Sequence, residues 1–139
     1  MLIDRNYIVD NIVQGGQTPA SSFVPEGIEE PNGWSFQKDS GHSMDYYGYY
    51  PVDADSIGQN YQEALDTLYK YYDHDEEGKI TNFPTLEYLY NTLDSHKAIA
   101  EYIQNVLSSI GIKLTLANQE WATFQTTKKS GEFDICRDS

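Results

Sequence analysis

The sequence predicts an α/β fold whose last third is a strand–helix–strand–helix–strand core. Three observations predict it. Three short runs, Leu86-Glu87-Tyr88-Leu89-Tyr90, Ile112-Lys113-Leu114-Thr115-Leu116 and Phe133-Asp134-Ile135-Cys136, are rich in β-formers and bounded by turn residues or helical patterning. Between the first two, Ile99, Tyr102, Ile103, Val106, Leu107 and Ile110 recur at one-face helical spacing and form an unbroken apolar stripe. Between the second and third, Asn118 is placed to cap a shorter helix that carries Trp121 and Phe124 and ends near Gly131.

The ends of these elements follow from local chemistry. Asp94 or Ser95 can cap the long helix, because a short side-chain oxygen accepts from a first-turn N–H that has no helical partner. Gly111 stands where the chain must leave that helix, a position that favours a left-handed residue.

A strand–helix–strand crossover makes neighbouring strands parallel and is right-handed in nearly all cases. Ligands of open parallel sheets bind outside the carboxyl ends of the strands. Residues 91 to 96, residues 119 to 121 and Arg137 are therefore expected at one edge, where the imidazole of His96, the indole of Trp121 and a guanidinium converge. This set suits recognition of a flexible polar molecule with apolar parts, and not bond breaking.

Bulk properties narrow the partners. A chain of 139 residues, 39% hydrophobic and 14% aromatic, can bury a real core and is not a disordered tail. Its 9 basic and 22 acidic residues leave a net charge of −13. That charge argues against a nucleic-acid backbone or an anionic membrane surface as partner. No apolar run approaches the roughly 18 residues of a membrane span, so no membrane insertion is expected. The single cysteine, Cys136, excludes an internal disulfide and a multi-cysteine metal site, and its alternation along a strand reads as a small buried hydrophobe. Neither end resembles a natural domain boundary; the chain reads as a piece of a longer protein, with Met1 added to it.

Before the core, Ile8, Val9, Ile12 and Val13 give residues 2 to 13 a helical pattern that Gly15-Gly16 should stop. Residues 17 to 56 hold Pro19, Pro25, Pro31 and Pro51 with interspersed glycines and no sustained period, a long loop region. Within it Tyr46-Tyr47-Gly48-Tyr49-Tyr50 could face a ligand, though tyrosines packing the loop onto the core account for it better. A second helix is expected over residues 56 to 72, with Tyr61, Ala64, Leu65, Leu68 and Tyr72 on one face.

Residues 73 to 81 open like a calcium-binding EF-hand loop, with Asp73, Asp75 and Glu77 at alternate positions followed by Gly78. Calcium requires more: the bidentate glutamate that should close the loop is replaced by Pro84, and no strong helix follows. An acidic solvated turn is the better reading, with a calcium-binding module as the alternative. The histidines His42, His74 and His96 show no metal-site spacing, and no cofactor is implied. No nucleophile motif or phosphate-binding glycine loop is present, so the chain is not read as an enzyme.

Several strings are more specific than their chemistry. Leu89-Tyr90-Asn91-Thr92 with His96-Lys97, Ile110-Gly111-Ile112 with Leu114-Thr115-Leu116, Asn118-Gln119-Glu120-Trp121 with Phe124, and Gly131-Glu132-Phe133-Asp134-Ile135 with Arg137 occur in order. Together with Gly15-Gly16-Gln17-Thr18-Pro19-Ala20 near the start, they closely resemble the oligopeptide-binding proteins. These are the extracellular solute-binding subunits, family 5, of ABC peptide importers. The resemblance spans nearly the whole chain and is weakest over residues 29 to 59.

The resemblance implies a two-lobed, type II periplasmic-binding-protein-like receptor that closes on an extended peptide. Residues 1–139 would form a single lobe fragment, most of the second lobe. It implies an oligopeptide ligand, ABC permease subunits as partners of the full-length protein, and a periplasmic or cell-surface lipoprotein location for the parent. Receptors for dipeptides, nickel chelates and sugars share this architecture. By the resemblance, His96, Lys128 and Arg137 would lie near the peptide's carboxyl end, and Trp121 would line a side-chain pocket. Relatives often carry arginine where Lys128 stands, which would change a bidentate contact into a point charge. They usually have alanine at the Cys136 position, and their aspartate for the peptide's amino terminus falls beyond Arg137.

Overall fold

The computed structural model describes residues 1–25, 27–37 and 50–138. His42 and the tyrosines Tyr46, Tyr47 and Tyr49 lie outside the described residues. The chain divides into two compact units, Met1–Leu65 and Asp66–Ser139.

In the first unit, Asp4 caps a short helix α1 (Arg5–Tyr7), its carboxylate accepting from the N–H groups of Asn6 at 2.9 Å and Tyr7 at 3.1 Å. The helix widens at once into a π-helical stretch, Ile8–Val13, ended by Gln14 in the left-handed conformation (φ 51°) and not by the glycines that follow. Arg5 fixes the loop region: it donates to the Ala20 carbonyl and, at 2.7 Å, to the Tyr50 hydroxyl. A small hairpin, bridged at Glu29 and Ser35, leaves Trp34 exposed. Helix α2 (Ile57–Leu68) follows a single 3-10 turn capped by Asp53, and its buried Asn60 donates to the Pro51 carbonyl at 2.7 Å. It is shorter than its apolar pattern, since the residues after Leu68 turn into the acidic loop.

That loop is a tight turn. His74 and Ile80 form an antiparallel bridge, and Gly78 takes a positive φ of 79° with its carbonyl accepting from the Tyr69 hydroxyl at 2.7 Å. One carboxylate oxygen of Asp75 accepts from the N–H groups of Glu77 at 2.9 Å and Lys79 at 2.8 Å. Asp73 accepts from the Asn82 amide at 2.9 Å, and Glu77 pairs with Lys79 at 3.5 Å. Among the described residues no group of three or more carboxylate, histidine or cysteine side chains is gathered as a metal site.

The core of the second unit is a three-stranded parallel sheet of β1 (Leu86–Asn91), β2 (Leu114–Gln119) and β3 (Ile135–Cys136), in the order β2-β1-β3. Helix α3 (Asp94–Ser109) connects β1 to β2, and α4 (Trp121–Ser130) connects β2 to β3. The expected element order is present, and the sheet is parallel as the crossovers require. β2 begins at Leu114 and continues to Gln119, because Leu86 aligns with Leu114 and Asn91 with Gln119. Ile112, expected in the strand, is instead buried at the helix exit.

Strand alternation divides the apolar residues between two faces. Tyr88, Tyr90 and Leu114, with Leu86, Leu116 and Ile135, pack on one face with Ala100, Ile103 and Leu107 of α3. Leu89 points the other way and is 0% exposed; Phe124 of α4, which packs on β1, is 1% exposed. Two right-handed crossovers that leave in opposite directions put their helices on opposite faces. Full burial of a Leu or Phe side chain contributes about 1.5–3 kcal/mol, enough for this small contact to hold α4 in place.

The exit from α3 joins the sheet to the acidic turn. Gly111 (φ 87°) donates to Ser108 at 3.1 Å and Ile112 to Leu107 at 2.9 Å, the paired bonds of a Schellman ending. The Ile80 N–H donates to the Ile110 carbonyl at 2.8 Å, and a Cβ on Gly111 would lie 2.2 Å from the Ile80 oxygen. Glycine is needed here on both counts.

Candidate functional site

The carboxyl ends of the strands bring together what the sequence placed there. After β1 the chain turns through Thr92, whose N–H donates to the Gln119 carbonyl at 2.9 Å and whose hydroxyl donates to the Asn118 side chain at 2.6 Å. Asn118 is therefore not the cap of α4; Glu120 holds that position without a side-chain cap, because β2 runs on through Gln119. Neither Asp94 nor Ser95 caps α3. Leu93 takes the extended cap position, and Asp94 is the first helical residue, where its charge suits the helix dipole.

His96 lies in the first turn of α3 and is only 9% exposed. Burial, with the positive Arg137 nearby, holds its pKa below the ordinary histidine value, while a hydrogen bond to the Asn91 main chain opposes the shift. Its Nδ1 is buried without a hydrogen-bond partner.

Arg137 follows β3 directly. Its N–H continues the ladder to the Leu89 carbonyl at 2.9 Å, and its guanidinium reaches the Asn91 side chain at 3.4 Å, a long contact that leaves donors over. Its charge also opposes the upward push that burial gives the Tyr88 phenol.

Trp121 opens α4, stacks on Phe124 with ring centroids 5.8 Å apart, and remains 54% exposed. Stacked on one face and open on the rest, it has apolar surface free for another molecule. Lys128, half-buried near the end of α4, forms an ion pair with Asp138. This pairing was not foreseen from the sequence, because the two residues meet only once β3 is in place. Burial pushes the Cys136 thiol up, with Lys128 and Arg137 opposing and Asp138 reinforcing, so it is no activated thiolate.

Asn91 and Gln119 also belong to this edge, where strand order placed residues 91 and 119, though neither was given a role of its own. Their signal is register: they are the last aligned pair of β1 and β2. A separate cavity of about 500 Å³ lies in the first unit, between Pro19, Val24, Pro25 and Val52, and carries none of these residues. Among the described residues no helix is long and apolar enough to cross a membrane.

Comparison with known proteins places the chain and its fold. The chain is 30% identical to the dipeptide-binding protein DppE of Bacillus subtilis, over 100% of its own length and 23% of the relative's. It is also 30% identical to the periplasmic oligopeptide-binding protein OppA of Haemophilus influenzae, over 97% of this chain and 22% of the relative. The chain thus spans less than a quarter of the length of these curated relatives. The solved structure of Haemophilus influenzae OppA in complex with RPPGFSPFR superposes with a TM-score of 0.70 at 26% identity, covering 98% of this chain and 24% of that one. The murein tripeptide-binding protein MppA of Escherichia coli shares the fold, with a TM-score of 0.71 at 24% identity over 99% of this chain and 24% of that one. The model for the middle region of the bacterial extracellular solute-binding proteins, family 5, matches residues 1–139. The parallel-sheet fold and the match over the whole chain agree, and the chain belongs to the family 5 bacterial extracellular solute-binding proteins.

Proposed function

We propose that this chain supplies one wall of the peptide site in the substrate-binding subunit of an ABC importer. Residues 1–139 would be a piece of a single ligand-enclosing lobe, working within a longer extracellular or periplasmic protein that delivers peptide to membrane permease subunits. The observation that carries this reading is the carboxyl edge of the sheet, where Arg137 retains free donors beside Asn91 and Trp121 is half open. Arg137 would hold the peptide's carboxylate, since charge-assisted bonds are the stronger kind. Trp121 would form the wall of a side-chain pocket tolerant of many residues. His96 would face the same end of the peptide. Lys128 would act there as a charge already balanced by Asp138, which leaves Arg137 as the stronger anion contact.

The test uses the full-length receptor that carries this chain. Trp121→Ala should weaken peptide binding by roughly 1–3 kcal/mol. Arg137→Ala should harm peptides with a free carboxylate more than their amides in calorimetric titration. Equal losses for both ligand forms would remove the carboxylate role. A dipeptide receptor is the second reading, favoured by the identity to a dipeptide-binding protein. A length series from two to five residues in the same titration separates it from an oligopeptide receptor.

A further inference from the structure

The hairpin of the first unit carries a reactive pair that the sheet and its edge do not use. Its loop is Pro31-Asn32-Gly33, between the bridged residues Glu29 and Ser35. Gly33 completes the turn at a positive φ of 79°, its N–H donating to the Glu30 carbonyl at 2.8 Å. Asn32 and Gly33 are both exposed. The Asn32 side chain folds back along the chain, and its Oδ1 accepts from the Trp34 N–H at 3.0 Å.

This arrangement sets an electrophile beside a nucleophile. The side-chain carbonyl carbon of an asparagine lies within reach of the next residue's amide nitrogen, and a side chain on that residue hinders the approach. Glycine has none. Asn32 is the one asparagine in the sequence followed by glycine; Asn11 and Asn105, for example, precede the branched Ile12 and Val106. The bond from Trp34 also leaves a donor on Oδ1, the oxygen that takes up negative charge during attack. One contact opposes the reaction, the bond from the Gly33 N–H to Glu30. Local opening of a short exposed hairpin releases it.

We propose that Asn32 is a site of spontaneous covalent modification, converting through a succinimide to aspartate and isoaspartate. Solvent hydroxide takes the Gly33 amide proton, and the nitrogen forms a bond to Asn32 Cγ. The Cγ–Nδ2 bond breaks, and ammonia leaves with a proton from water. Water then opens the imide. Cleavage of the new bond gives aspartate, and cleavage of the original peptide bond gives isoaspartate. Either product adds a negative charge beside Glu29 and Glu30 in a chain already at −13. Isoaspartate also lengthens the main chain by a methylene within the loop, which loosens the bridge between Glu29 and Ser35.

Timed incubation tests it. The full-length receptor that carries this chain is held in neutral and in mildly alkaline buffer, and protease digests are read by mass spectrometry with fragmentation that separates isoaspartate from aspartate. Asn32 should convert at least about tenfold faster than any other asparagine, faster still in the alkaline buffer, with isoaspartate among the products. Gly33→Val should slow the conversion by about tenfold or more. Asn32→Gln, which leaves the turn glycine in place, should keep its amide and so decides even if Gly33→Val disturbs the hairpin. An Asn32 that stays intact in the folded receptor overturns the assignment, whether or not the urea-unfolded chain converts. Aspartate without isoaspartate overturns the succinimide route, since water has then hydrolysed the amide directly. Conversion spread evenly over the asparagines removes the role of Gly33 and overturns it too.

Discussion

The two ends of the parallel sheet are built from the same strands and finished differently. At the amino end, several polar groups of the strands are tied to their neighbours. The Glu87 N–H donates to Asp134 at 2.8 Å, the Leu86 N–H to the Lys113 carbonyl at 3.0 Å, and Gln104 to the Leu114 carbonyl at 2.7 Å. Ile80 is joined backbone to backbone with Ile110 beneath them. At the carboxyl end two buried atoms lack partners, an indole is half exposed and a guanidinium has donors to spare. The difference teaches where stability and the proposed recognition separate: one end is tied together by its own hydrogen bonds, and the other keeps unpaired donors and acceptors.

The largest effect should come from breaking the finished end. Gly111→Ala combines a positive φ with a Cβ 2.2 Å from the Ile80 oxygen. A loss of roughly 2–4 kcal/mol in urea unfolding is expected, because both strain and backbone displacement act. An unchanged midpoint would mean that the Ile80 segment yields freely, and the amino end would no longer count as rigid.

A smaller effect should come from the unfinished end through pH. His96 in the folded chain has its pKa lowered from 6.5, by burial first and Arg137 second. Between that lowered value and 6.5 the unfolded chain binds more protons, so stability rises with pH across this window. The contribution is full above the unfolded value and is lost as pH falls through it towards the folded one. Urea midpoints taken across this range should slope for the native chain and flatten in His96→Gln. A slope that survives the substitution assigns the proton to another group.

The smallest effect is expected away from both ends. Asp75→Ala removes an acceptor for two turn N–H groups at an exposed site and should cost about 0.5–1.5 kcal/mol. Calcium titration of the unaltered chain should give no binding tighter than about millimolar. A micromolar site would make the acidic turn a third distinct region and restore the calcium-module reading.

Much of this was legible in the sequence because it depends on side-chain periodicity and on glycine. The stripe from Ile99 to Ile110 can bury only as a helix, and Gly111 and Gly131 mark where the chain turns left-handed. The convergence of His96, Trp121 and Arg137 follows from strand order alone. The details that were not legible depend on partners distant in sequence. Asn118 was expected to cap a helix, but Thr92 engages it across the strand pair. β2 was expected to begin at Ile112, but the Schellman bond to Leu107 holds that residue and pairing with β1 starts at Leu114. Lys128 gives no local sign of Asp138. The π-helical stretch at Ile8–Val13 has the same apolar spacing as an ordinary helix at this length.

The strand order also sets a sequence of events during folding. Among the described residues β1 alone has a strand on each side, and it is the first of the three to be synthesised. Its pairing with β2 must wait for α3, since closing a parallel pair needs the whole crossover. β3 contributes just Ile135 and Cys136 and has no edge to join until β1 is fixed by β2. Loop-closure entropy makes such a late, two-residue addition the weakest link in the ladder. Arg137, carried on that link, therefore reaches Asn91 last, and local opening of β3 would withdraw it first. The strength of the proposed anion contact is then tied to how firmly a two-residue strand is docked, so if Arg137 holds the ligand, substitutions beneath β3 should alter the rate of its release without touching it.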